Sequence, residues 1–240
     1  MQFLSASGQS PNSLDEHGSP LLSTSVHQLQ HALTDSLLNA PSINPNITNA
    51  NGESALHIAS RIDNATTVEM ILSKSASINQ LNSNSETALI IAAKNCLTGN
   101  VQTLARFNAS SYGIKHILEP VDVHLTDKHN KTALHYAAMN CDNRDILLVL
   151  LEELNANVYD SDADKKTPLF LATERAMNNE AIPVLIEHGS DVSYRSGNLS
   201  IICDTIYRQN YATAVLLIRS VVFNSKKIQM KFLKRENGGF

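Results

Sequence analysis

One short pattern returns four times in this chain: Ser54-Ala55-Leu56-His57-Ile58-Ala59, Thr87-Ala88-Leu89-Ile90-Ile91-Ala92, Thr132-Ala133-Leu134-His135-Tyr136-Ala137 and Thr167-Pro168-Leu169-Phe170-Leu171-Ala172. The first residues of successive copies stand 33, 45 and 35 positions apart. A pattern recurring at such intervals marks stacked units, each too small to bury its own apolar face and stable only against its neighbours. Each copy predicts the start of a helix. Ser54, Thr87, Thr132 and Thr167 can accept a hydrogen bond from a free backbone N–H of the first turn, and Pro168 occupies the first helical position, where a missing N–H costs nothing. Leu56, Leu89, Leu134 and Leu169, with the small Ala that closes each copy, would face the adjacent unit and let helices approach closely.

A second apolar segment follows each of three signatures, at Val68 to Leu72, Ile146 to Leu151 and Ile182 to Ile186, the last stopped by Gly189. These predict an outer helix in each unit. Extended pieces then lead onward: Ser77-Ile78-Asn79, Val121-Asp122-Val123-His124, Ala156-Asn157-Val158-Tyr159 and Ser190-Asp191-Val192-Ser193. A degenerate unit from about Leu199 through Val215-Leu216-Leu217-Ile218 is expected to cap the C-terminal end. At the other end, Ser25-Val26-His27-Gln28 resembles a capping box, and Val26, Leu29, Leu33 and Leu37 predict a single helix forming a half unit.

The six-residue signature and its spacing resemble those of the ankyrin-repeat family, which has a period of about 33 and the pattern T-P-L-H-x-A. The resemblance implies an all-α repeat solenoid, with helix-turn-helix units joined by β-hairpin-like fingers. The chain is expected to hold about five repeats, an N-terminal half repeat and the degenerate C-terminal cap. The expected layout is an unstructured segment 1–24, a repeat domain 25–223 with an insertion at about 108–120, and a basic tail 224–240. The insertion accounts for the 45-residue step; its sequence, Ser110 through Pro120, keeps apolar residues that could pack as a short helix or meet a partner.

Composition fits helices and narrows function. Hydrophobic residues make up 42% of the 240, aromatic residues only 5%, and tryptophan is absent, which suits a core of Ala, Leu and Ile. The apolar run from Ala212 to Phe223 is shorter than the roughly 20 residues a bilayer-spanning helix needs and contains Arg219. The first residues lack a basic n-region and an apolar stretch, so the expected location is cytoplasmic or nuclear, and the Asn-x-Ser/Thr matches at Asn46, Asn64, Asn108, Asn130 and Asn198 are read as chance. Net charge is -4, yet residues 219–240 carry six Lys/Arg against one acid, leaving -9 elsewhere. An acidic body argues against direct nucleic-acid binding, which needs a basic face. The tail itself reads as a solvated cap, with a nuclear-localisation patch or a phosphate-contacting arm as the alternatives.

No catalytic, cofactor or metal site is expected. Gly-rich phosphate loops, a G-x-S-x-G elbow and spaced carboxylate pairs are all missing from the sequence, and stacked units enclose little volume. His57 and His135 stand at the signature's His position, where the resemblance implies a ring tying neighbouring loops together. His27 and His31, four apart on one predicted helix, have the spacing of a metal pair but lack a third ligand. Cys96, Cys141 and Cys203 show no ligand spacing and are read as small buried hydrophobes without a disulfide framework.

What remains is a surface for another protein. Candidate contacts are Asn51, Asn84, Lys128, His129 and Asp164 at finger tips, with Arg61, Lys94, Asn95, Met139 and Asn140 on the inner face; oligomeric state is open. Within the family, Lys131-Thr132-Ala133-Leu134-His135-Tyr136-Ala137-Ala138 and Lys166-Thr167-Pro168-Leu169-Phe170-Leu171-Ala172 look like later repeats of Notch intracellular domains, with an insertion as in nematode members. That likeness implies a role in transcription through a CSL and Mastermind-type assembly. The IκB group, which also widens its spacing mid-array and binds Rel-type transcription factors, is the alternative.

Overall fold

The computed structural model describes residues 10–109, 119–174, 180–197 and 199–222. The insertion residues 110–118 and the basic tail lie outside them. Helices follow in pairs: α1 Leu21–His27 with α2 His31–Leu38, α3 Ala55–Arg61 with α4 Ala65–Leu72, α5 Ala88–Lys94 with α6 Thr98–Ala109, and α7 Ala133–Asn140 with α8 Arg144–Leu148, which continues into a π-helical turn Val149–Glu153. After these come α9 Pro168–Thr173 with α10 Ala181–Glu187, a hairpin of β1 Arg195–Ser196 and β2 Leu199–Ser200, and α11 Ile201–Tyr207 with α12 over 211–222. The odd-numbered helices stack in chain order as an inner row, and α2, α4, α6, α8 and α10 form the outer row behind it.

The signature does locally what its chemistry predicts. The Thr87, Thr132 and Thr167 hydroxyls accept from the backbone N–H of Ile90, His135 and Phe170 respectively, each at the third helical position, at 3.2–3.4 Å. Leu56, Leu89, Leu134 and Leu169 are buried at 3% exposure or less, and Ala59, Ala92, Ala137 and Ala172 at 0%, so backbones meet where the small residue stands. Asn100 on α6 is wholly buried, and its amide donates to Ile62 O at 2.8 Å, which Asn64 N–H also reaches at 2.7 Å, and to the Ser60 carbonyl at 3.4 Å, at the end of α3 in the preceding unit. Asn100→Ala is expected to lower unfolding free energy by about 1–3 kcal/mol, because the Ser60 carbonyl loses its donor and the bond to Ile62 O is lost with it. A urea midpoint equal to that of the parent chain would reject that role.

Several expectations need correction. The N-terminal unit is a complete helix pair. Leu29 takes φ 57°, breaking the expected single helix after His27, and Leu29 is 53% and Leu33 37% exposed while Val26 and Leu37 are buried. Ser25 is inside α1, where its hydroxyl donates to Leu22 O, instead of capping a helix. Structure also begins upstream of residue 25: Leu14 and Pro20 form a bridge, and α1 starts at Leu21. Finally, Cys96 and Cys141 are joined by a disulfide, their Cα atoms 5.4 Å apart. They stand just past the ends of α5 and α7, which stack side by side, so 45 residues of separation vanish in space. Cys203 is free and exposed.

Candidate protein-binding surface

Each finger is built on one turn. Asp15, Asn49, Asn82, Asp127 and Asp162 each accept, through Oδ1, the N–H groups two and four residues on, at 2.8–3.0 Å. The residue three past each takes a left-handed conformation: Gly18, Gly52, Ser85, Asn130 and Lys165, at φ 55–74°. Gly52 is also sterically required, since a Cβ there would meet Ser83 N at 2.9 Å. The turns then pair with one another. Ser83 N–H donates to Asn51 O, Lys128 N–H to Asn84 O, and Ala163 N–H to His129 O, at 2.9–3.2 Å.

Asn and Asp at the turn take different partners. Asn49 and Asn82 donate to the carboxylates of Glu53 and Glu86, whereas Asp127 accepts from the Tyr136 hydroxyl at 2.6 Å and Asp162 pairs with Lys131 Nζ at 2.8 Å. Glu53 and Glu86 reach eight residues along to Arg61 and Lys94 on the inner helices; Lys166 and Glu174 repeat this pair with signs exchanged. Burial pushes the pKa values of Glu53, Glu86, Asp127 and Asp162 up, but these donors outweigh it and hold all four carboxyls below their usual range.

His57 and His135 are structural joints. Nδ1 of His57 accepts from Ser54 N–H at 3.1 Å, so Nε2 carries the proton and donates to Gln80 O at 2.9 Å, with Glu86 O at 3.2 Å. His135 makes the same box with Thr132 and reaches Lys166 O at 3.3 Å. Burial pushes both imidazoles below their ordinary pKa. His27 ends α1 and His31 opens α2, so they do not share a helix, and among the described residues no group of three His, Cys, Asp or Glu could hold a metal.

The expected contact residues fall into two groups. Asn51, Lys128, His129 and Asp164 are exposed at turn tips, and Lys94 and Asn95 are exposed at the end of α5. Exposed Asn84 and partly covered Asn140 hold the array together, Asn84 by accepting Lys128 Nζ and Asn140 by donating to Lys94 O at 3.0 Å. Arg61 is half-exposed and tied to Glu53; Met139 packs against the core. The first finger escaped sequence reasoning. Its signal was present, because Asp15-Glu16-His17-Gly18 and Asn49-Ala50-Asn51-Gly52 share Asx-x-x-Gly one period apart. Pro20 stands where the other units carry a Ser/Thr cap, so the six-residue signature misses it.

A family model for ankyrin repeats (3 copies) matches residues 22–112 and 104–196. This chain belongs to the ankyrin-repeat family, whose fold is a non-enzymatic scaffold for protein–protein interaction. Among solved structures it is similar to the ankyrin repeat domain of Bcl-3, described as a unique member of the IκB protein family. The TM-score is 0.72 at 22% identity, covering 85% of this chain and 87% of that one, a likeness of fold. No curated protein matches it in sequence. Among the described residues no helix is long and apolar enough to cross a membrane.

Proposed function

We propose that the chain regulates transcription by docking a protein partner along its finger tips and inner-helix ends. The observation that carries this is the row of exposed side chains (Asn51, Lys128, His129, Asp164, Lys94 and Asn95) held in register by the tip-to-tip bonds. A surface fixed before binding loses little entropy on docking, which favours affinity. The widened step before Thr132 and the similarity in fold to the Bcl-3 domain support an IκB-like partner, a Rel-type transcription factor. The stretches Lys131 to Ala138 and Lys166 to Ala172 support the second reading, docking with a CSL and Mastermind-type pair. The two separate by size-exclusion chromatography of the full chain mixed with a Rel-family dimer or with a CSL–Mastermind pair. Co-elution with one assembly, lost when Lys94 and Lys128 are both changed to Glu, is the expected result. Co-elution with neither would overturn the transcriptional role.

A further inference from the structure

The tip-to-tip bonding stops between the first two fingers. By the register of the other three pairs, Ala50 N–H should donate to His17 O; among the described residues no such bond forms, and neither group finds another partner. Both residues are exposed. Beside this gap lies a groove of about 350 Å³, lined by the finger residues Asp15, His17 and Asn49, by Ser23 and Thr24 of α1, and by Ile58 and Arg61 of α3, among others.

Its origin lies in one position. Superposing the turns at Asp15 and Asn49 puts Ser23 where the second unit has His57, the ring that bridges to the next unit. The same place is filled by Ile90, His135 and Phe170 further along. Serine is too short to bridge, and its hydroxyl, at 1% exposure for the residue, has no hydrogen-bond partner. A buried hydroxyl without a partner is costly, and an unpaired backbone edge is a template for another strand.

We infer that this groove receives an extended segment of a partner polypeptide, whose backbone bonds His17 C=O and Ala50 N–H and whose uncharged, hydrogen-bonding side chain (Asn, Gln, Ser or Thr) enters to meet Ser23. An uncharged side chain is selected because the charged groups in the wall already have their hydrogen-bond partners. Glu53 is held by Arg61 and Asn49, and the Asp15 carboxylate by Thr24 Oγ1 and the N–H groups of His17 and Ser19. An acidic newcomer would lose its water beside carboxylates, and a basic one would have to compete with the donors that already hold Asp15 and Glu53. Strand addition of this kind takes affinity from the backbone and specificity from the pocketed side chain.

The inference rests on the reading of the chain as a protein-binding module and is tested separately from it. A random heptapeptide library, sorted into pools by the central residue, is selected on the full chain and on Ser23→His, which installs the bridging imidazole found in the second and fourth units. Peptides from the Asn, Gln, Ser and Thr pools should bind the parent at least about tenfold more tightly than Ser23→His and protect the Ala50 amide from hydrogen exchange. Enrichment of charged or purely apolar centres, equal binding to both proteins, or no selected peptide at all would overturn it. Co-elution of a folded partner together with any of those outcomes would leave the docking function standing and remove only this groove.

Discussion

Reduction of the Cys96–Cys141 bond is expected to lower the unfolding free energy of the chain by about 2–4 kcal/mol. The bond closes a loop with a sequence separation of 45, and the constraint falls on the unfolded chain, which loses more freedom the longer the loop it must close. Its place raises the consequence. In a stack where each unit contacts only its neighbours, stability is the sum of unit and interface contributions, and this link spans the interface whose spacing is widened. Urea unfolding followed by far-UV circular dichroism, with and without reductant, measures the effect. The double variant Cys96→Ala/Cys141→Ala should be insensitive to reductant; a parent midpoint that does not move on reduction would rule the link out.

Truncating His57 should have an effect of similar size, about 2–4 kcal/mol, since His57→Ala opens a cavity and strands the Ser54 N–H and the Gln80 carbonyl. The imidazoles also set a direction for pH. Both have folded pKa values below the ordinary 6.5, because burial disfavours the charged ring. The unfolded chain therefore binds protons that the folded chain refuses, and stability falls as pH drops through 6.5. The depressed carboxyls Glu53, Glu86, Asp127 and Asp162 act in the same direction at lower pH: their contribution is present above their ordinary values and lost as they protonate. The thermal midpoint of the parent should decline between pH 7.5 and 5.5, with a shallower slope in His57→Ala. A flat profile over that interval would contradict the buried, neutral imidazoles.

The inner helices of the second to fifth units were legible because their signal is local. A Ser or Thr that caps, a Leu that packs and an Ala that permits close approach lie within six residues, and nothing distant is needed to recognise them. The role of His57 and His135 was legible through family resemblance, and the structure supplies its bonds. The first unit was hidden behind Pro20, which replaces the capping hydroxyl, and behind an apolar spacing from Val26 to Leu37 that suits one helix. A helix has no local reason to stop at Leu29; burying Leu22, Val26, Leu37 and Leu38 against the second unit decides it. The candidate contacts lie on tips and inner-helix ends, yet sequence could not separate exposed His129 from Asn140, whose amide is committed to Lys94 O.

By itself, then, the sequence determined the unit, its period and the face each unit presents, because those follow from hydrogen bonds and packing spaced within one turn or one repeat. Only the tertiary structure decided what happens between units: the pairing of Cys96 with Cys141, the matching of Asp162 to Lys131, and the gap at Ser23. Each depends on which residues a stacked neighbour brings within a few ångströms, and stacking sets residues 30 to 50 positions apart side by side.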